Sequence, residues 1–387
     1  MLEYDDEVAY DKQEDDEKLH DRNIMMKINS FLEAKFFKRN SLYQNLSMYL
    51  CIPIMVKIAD ISLGDFPILL APMEDVSDPP FRALCKEQGC DLLYTEFISV
   101  EGLIRDAAKS LHKLDIYPEE RPIGIQIFGG EMVSMMKAIP YVESARPEIL
   151  DINYGCPVSA VVCKDAGAGI LKDIPKMIRL TKAVVDNTHL PVTVKTRLGW
   201  DHSTIMIHEV VKRLQDVGIK AISIHARTRA QMYKGEADWS YIANIKNDPS
   251  IHIPVFGNGD IDTPQKAKEY KERYGPDGIM IGRASIGYPW IFKEIKHYLN
   301  TGELLPPPDL EERIRAVKAH LDFSIRWKGP KLGVLEMRRH YKSYFKGIEG
   351  MKPYRERFVL EPEPTGILSI LEEIAANPMF HRELEMA

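Results

Sequence analysis

The side chains with chemistry to offer gather at the ends of short apolar runs. One run, Ile149–Gly155, closes on Cys156 and Pro157, so a thiol directly follows an extended segment. Proline fixes φ just after it and stiffens the turn. A second cysteine, Cys163, follows seven residues on, in a loop that also holds the small-residue stretch Ala166–Gly169. The strand-end position favours Cys156 as the thiol a site would use. Other runs end in the same polar manner. Pro72, Met73 and Glu74 follow one and Glu96 another; Gln126 and Asn153 lie near the ends of two more. Lys195 with Arg197, His225 with Arg227, Asn258-Gly259-Asp260, and Gly282-Arg283 complete the set. Burying polar groups at strand ends costs free energy unless they are used or paired, so this many together mark a site. Gly257, Gly259 and Gly282 allow backbone amides to approach a ligand. Lys195, Gln126 and His225 can hold the polar edge of a flat ring. The chain carries no HExxH, no Asp-rich metal cluster and no P-loop, so these residues point to a phosphorylated organic cofactor rather than a metal. Singly each has a plainer reading: Lys195 as a surface lysine, His225 as a satisfied core histidine, the Ala166–Gly169 stretch as a tight loop, Cys85 and Cys90 as packing residues.

These residues need a scaffold that brings strand ends together. Eight β-rich runs qualify: 68–73, 91–97, 123–129, 149–155, 191–197, 220–227, 253–260 and 278–283. They alternate with segments such as 173–187 and 204–218 that carry apolar residues at helical spacing. Near-continuous apolar strands imply burial on both faces and a parallel sheet. Eight strand-then-helix units predict an α/β fold, a (β/α)8 TIM barrel, with the site at the C-terminal ends of the strands and a phosphate site after strands seven and eight. The prolines at 306–308 break the chain. Asp309 and Glu312 then form a helix start, and Leu310, Ile314, Val317, Leu321 and Ile325 keep helical spacing. Further helices are predicted at about 331–349 and 365–377 by the same spacing. The domain reading is an acidic, disordered extension over 1–54, a barrel over 55–303 and a C-terminal all-helical domain over 309–387.

Charge is uneven. The net charge of the chain is −6, but residues 1–22 alone hold ten acids against three bases, leaving +1 on the rest. Between Glu311 and Phe358 there are thirteen Lys/Arg and six Asp/Glu. Such a stretch can attract a polyanion or simply be a solvated helix face. Five cysteines without a CxxC pair argue for a reducing compartment, and no apolar run has the roughly 18–20 residues that span a bilayer.

The stretches "APMEDVSDPPFR", "TEFISVEGL", "DINYGCP", "VKTRLGW", "IHARTRAQMYKGEADW", "VFGNGDI" and "IMIGRASIGYPWIF", in this order, resemble the tRNA-dihydrouridine synthases, nearest the bacterial B-type branch. The likeness covers about residues 57–358. It implies an FMN-binding barrel that uses NADPH to reduce uridine in tRNA, hydride passing from FMN N5 to uracil C6. Carried over motif by motif, FMN would meet Pro72, Met73, Glu74, Gln126, Lys195, His225, Asn258, Gly259, Asp260, Gly282 and Arg283. Cys156 would be the proton donor to C5, a role that suits a thiol protonated at neutral pH. Asn153 would read the uracil edge. "LEMRRHYKSYFKG" is similar to the family's helical tRNA-binding region and makes Arg338, Arg339 and Lys342 substrate-binding residues. The resemblance further implies a cytoplasmic monomer without metal or membrane attachment. The chain departs from the pattern at Ser159 and Ala160, where the family usually has lysine, and residues 1–54 have no family counterpart. Two other readings stay open: an FMN barrel reducing a free small molecule, and a non-catalytic flavin- or RNA-binding protein.

Overall fold

The computed structural model describes residues 55–380. The expected acidic extension over 1–54 lies outside the described residues.

Eight parallel strands carry the fold: β1 (Ile68–Leu70), β2 (Leu93–Tyr94), β3 (Ile123–Phe128), β4 (Ile149–Tyr154), β5 (Val192–Arg197), β6 (Ala221–His225), β7 (Val255–Asn258) and β8 (Gly278–Ile281). They pair in the order β1-β8-β7-β6-β5-β4-β3-β2. Two backbone bonds, Leu70 N to Leu92 O at 3.0 Å and Asp91 N to Ile68 O at 2.9 Å, join β1 to the approach of β2 and close the ring. Closure leaves no open sheet edge. Every residue of β4 is buried, as expected of a strand with side chains inside the barrel on one face and helices on the other. A two-stranded hairpin, Lys57–Ile58 with Ile61–Ser62, puts Ile58 and Leu63 against Leu69, Tyr94, Phe256 and Met280 and plugs the N-terminal end of the barrel. The open end is therefore the C-terminal one.

The second run is shorter than its sequence suggests. Only Leu93–Tyr94 ladders, because the Thr95 hydroxyl accepts from Gln126 N at 3.2 Å in place of a backbone carbonyl. Ile98–Ser99 then resumes beside β3.

The helix after β1, α1 (Pro79–Glu87), starts on Asp78, whose side chain accepts from Phe81 N at 3.1 Å. Beyond the proline break come two helices, numbered together as α2 (Leu310–Tyr344), that meet at Gly329 and pack back on each other, Arg313 Nη1 donating to Tyr344 O at 2.7 Å; α3 (Lys352–Leu360) and α4 (Pro364–Ala376) follow. The second helix thus starts about where the sequence places it, at 331, after the backbone leaves helical geometry at Gly329. The second half ends at Tyr344, short of 349, and α3 is an additional helix. Pro353 in its first turn is compatible with a helix start, where the missing N–H has no helical partner.

These helices share a core of their own around Trp290, Val317, Tyr341, Phe358 and Leu371. They also grip the loop between β1 and α1 and the segment before β3. Lys328, just before the Gly329 turn, donates to Asp78 Oδ2 at 2.8 Å; Arg339 donates to Asp75 O at 2.5 Å; Trp327 Nε1 donates to Asp115 Oδ2 at 2.9 Å. Phe81 packs against His320 and His340 at centroid distances of 5.8 and 4.9 Å.

Candidate active site

The register of the barrel decides which residues meet. Asn153 pairs with Lys195, Arg197 with His225, and His225 with Asn258. At the C-terminal mouth these side chains line a cavity of about 700 Å³ together with Pro72, Met73, Glu74, Cys156, Gly259, Asp260, Gly282 and Arg283. That volume is in the ordinary range for a small-molecule site. Most of the sequence-selected rim is therefore brought together, but Glu96, Gln126, Arg227 and Gly257 do not line the cavity. Gln126 lies fully buried and is not part of the cavity wall; its Nε2 donates to Asp151 Oδ2 at 2.5 Å and its Oε1 accepts from Asn153 Nδ2 at 2.7 Å. Gly257 does not open backbone to a ligand: a Cβ there would run into the Trp239 ring, so its smallness serves packing outside the barrel. Arg338, Arg339 and Lys342 lie on α2, away from the cavity wall. Arg339 is engaged with the Asp75 carbonyl, and Arg338 donates to Glu361 O at 3.4 Å.

Cys156 is 7% exposed, and its amide donates to Asn153 Oδ1 at 2.9 Å, as does that of Gly155. The Ala166–Gly169 loop folds back onto it: Ala168 N donates to Cys156 O at 3.0 Å. Gly167, at φ 54°, has room for no Cβ, which would lie 3.2 Å from Cys156 Cβ. The loop is thus a support for the thiol turn. Burial pushes the Cys156 thiol up, against the Val158 amide and the charge of Arg197, so it is protonated at neutral pH. Cys163 is exposed and ends the short helix Ser159–Val162. Arg197 donates to Gly155 O at 2.8 Å and to Thr228 O and Met232 O at 3.0 and 2.8 Å, which ties the thiol turn to the loop after β6.

Across the mouth, Lys195 Nζ donates to Asn258 Oδ1 at 3.2 Å, and Asn258 Nδ2 donates to Met280 O at 2.8 Å. Burial and the neighbouring Arg197 bring Lys195 down to about 8. His225 is held well below its ordinary value by burial and by Arg197, so it is neutral. Arg227 Nη2 donates to Asp260 Oδ1 at 2.8 Å and to its Oδ2 at 2.6 Å, and Asp260 Oδ2 also accepts from Ala237 N at 2.8 Å. Gly259 takes φ 121°, and a Cβ there would lie 2.9 Å from Ala237 and 3.1 Å from His225. Arg283 is exposed beside Asp260 at 3.5 Å and over the Tyr233 ring at 4.8 Å.

Near the rim Glu74, Asp75 and Glu96 bring carboxylates within 4.8 Å of one another. Lys113 lies 2.6 Å from Glu74 and 3.3 Å from Glu96, and Arg339 lies 3.6 Å from Asp75, so the acids are balanced by bases.

Two residues of consequence were not singled out by sequence reasoning. Tyr233, at the edge between Arg197 and Arg283, sits in a loop without periodicity. Asp151 is fully enclosed beneath the site; its signal was a charge inside an otherwise apolar run.

A parallel eight-stranded barrel with a polar cavity at its C-terminal mouth, joined to a helical core, defines a TIM-barrel enzyme. Comparisons with known proteins narrow the class. Residues 69–377 match the family model described as dihydrouridine synthase (Dus). The tRNA-dihydrouridine synthase B of Pseudomonas putida is 40% identical over 291 residues, 75% of this chain and 86% of that protein. A probable tRNA-dihydrouridine synthase of Rickettsia conorii is 36% identical over 332 residues, 86% of this chain and 99% of that protein. Among solved structures, histamine dehydrogenase from Rhizobium sp. 4-9 superposes with a TM-score of 0.50 at 11% identity, over 71% of this chain and 51% of that one. This chain therefore spans about half of that structure, and the likeness is one of fold. The chain belongs to the dihydrouridine synthase family, in its B-type branch. It is an enzyme of the oxidoreductase class.

Proposed function

We propose that the chain reduces specific uridines of tRNA to 5,6-dihydrouridine, with FMN as its resident cofactor and NADPH as reductant, in the cytoplasm and as a monomer. The observation that carries the reading is Cys156: a protonated, nearly buried thiol on the wall of a cavity that Lys195, Asn258 and Arg283 also line. The cavity suits a flavin phosphate. Lys195 has one hydrogen-bonded partner, Asn258, and so keeps donors for a ring edge. Arg283, beside Gly282 and Gly259 after β7 and β8, stands where barrels take phosphate. Pro72, Met73, Glu74, His225 and Asp260 complete the surround, and Gln126 supports it from below through Asn153. Bound FMN supplies the hydride to uracil C6.

The chain's own residues do the rest. Cys156 gives its proton to C5, and the raised value of its thiol keeps that proton available at neutral pH. Asn153 Oδ1 is committed to the Gly155 and Cys156 amides, which leaves an Nδ2 hydrogen for the base edge. The target base has to leave its stack to reach the mouth. The basic face of α2, with Lys342 exposed on it, offers a grip on the tRNA backbone. Purified protein should be yellow, release FMN on denaturation and, with NADPH, form dihydrouridine in tRNA transcripts but not from free uridine. Turnover of free uridine at the rate of tRNA, or a bound FAD or metal in place of FMN, would overturn the reading.

A further inference from the structure

Beneath the thiol turn lies a carboxylate with no part in the reaction as written. Asp151 is 2% exposed, midway along β4 and opposite Thr193 of β5. Its Oδ1 accepts from Thr193 Oγ1 at 2.5 Å and its Oδ2 from Gln126 Nε2 at 2.5 Å. Gln126 therefore presents Oε1 to Asn153 Nδ2, at 2.7 Å. Asn153 in turn faces Oδ1 to the Gly155 and Cys156 amides, each at 2.9 Å. Both amide orientations are dictated from two ends. Backbone N–H groups require an oxygen at one end, and an ionised carboxylate, which only accepts, requires N–H at the other.

We propose that Asp151 is a positioning residue: by fixing how Gln126 and then Asn153 face, it holds the Cys156 turn and sets where the thiol sits. Its catalytic consequence rests on the reading of Cys156 as proton donor; the positioning is a property of the turn itself.

The energetics fit such a purpose better than a stabilising one. Burial pushes Asp151 up to about 6, against the hydrogen bonds from Gln126 and Thr193 and the charge of Lys195. The folded chain holds this proton more tightly than an unfolded carboxyl does. The ionised form therefore costs the fold stability, and that cost sets in as pH rises from 3.8 to about 6 and stays above it. Below about 6 the protonated acid can donate to Gln126 Oε1, and the two amides are then dictated from one end only, by the Gly155 and Cys156 N–H groups.

Asp151→Asn keeps the shape but both donates and accepts, so it frees Gln126 to turn. Adding Gln126→Glu conserves charge and restores the pattern, because the introduced carboxylate accepts from the introduced amide on one side and from Asn153 on the other. The measurement is the rate of Cys156 alkylation by iodoacetamide at pH 8 in the full chain, divided by that of the exposed Cys163 and read by peptide mass spectrometry. The ratio should rise several-fold in Asp151→Asn and return to the wild-type value in the double variant, with a melting temperature at pH 8 no lower than wild type in the single variant. An unchanged ratio in Asp151→Asn, a ratio the double variant does not restore, or a lower melting temperature in the single variant each contradicts the proposal. Normal turnover by Cys156→Ala would instead sink the proton-donor reading and leave the alkylation result intact, so the two failures are told apart.

Discussion

Lys195 illustrates how burial tunes a single rim residue. The folded chain holds its proton less tightly than an unfolded lysine does, so the ammonium costs stability at neutral pH; that cost is relieved as pH rises from about 8 towards 10.5. If the ammonium grips the flavin, affinity falls across the same window. Titration with free FMN should show weaker binding at pH 9 than at pH 7 in the wild type, and weak, pH-independent binding in Lys195→Met. Equal wild-type affinity at both values would remove Lys195 from the cofactor site. Arg283→Ala should likewise lower the flavin content of purified protein, measured as flavin absorbance per chain, because this side chain is the exposed cation beside Gly282; full content would place the phosphate elsewhere. Cys156, Lys195, His225 and Asn258 were legible in the sequence because a polar group at the end of an apolar run has few other uses. Gln126 and Gly257 were read as rim residues, but neither lines the cavity. Which face of a strand a residue takes, and what it meets there, is set by register and by neighbours such as Asp151 and Trp239 that are distant in sequence.

Among the elements, α2 is the one tied directly to the loop between β1 and α1. At Gly329 the backbone takes φ 79° and ψ 165°, a region that side chains with a Cβ avoid. The turn between the two helices delivers Lys328 to Asp78, the residue that caps α1. Gly329→Ala should cost roughly 1–3 kcal/mol, seen as a lower midpoint in urea unfolding. An unchanged midpoint would mean the turn relaxes without consequence. The "KGP" at 328–330 signalled this break, whereas α3 was hidden by its polar, charge-rich "KPYRERFVL". The shortness of β2 was equally hidden, since only the Thr95 hydroxyl's tertiary partner explains it.

At the scale of the whole molecule, the barrel was legible because eight runs buried on both faces have few alternatives, and the second core because proline at 306–308 separates two kinds of periodicity. What the sequence did not tell was that the bases of this stretch divide into two sets. Arg339 is bound to the loop of Asp75, while Lys342 and Lys346 stay exposed. Neutralising Lys342 and Lys346 should therefore weaken tRNA binding and flatten its salt dependence by about 0.7–0.9 in log–log slope for each phosphate left without its cation. Arg339→Ala should slow turnover with a smaller change in that slope. Filter-binding titrations at several salt concentrations distinguish these outcomes; an unchanged slope after both lysines are neutralised would make the face structural.

The central claim is that Cys156, and not Cys163, protonates the reduced base. Its most direct test follows the prereduced enzyme as it is reoxidised by tRNA in a single turnover, in Cys156→Ala and Cys163→Ala. Reduction of the enzyme by NADPH involves no substrate proton and should survive in both variants. Reoxidation by tRNA should slow roughly 100-fold or more in Cys156→Ala, the scale of a lost general acid, and change little in Cys163→Ala. Near-normal reoxidation in Cys156→Ala, or the opposite ranking of the two variants, would contradict the account.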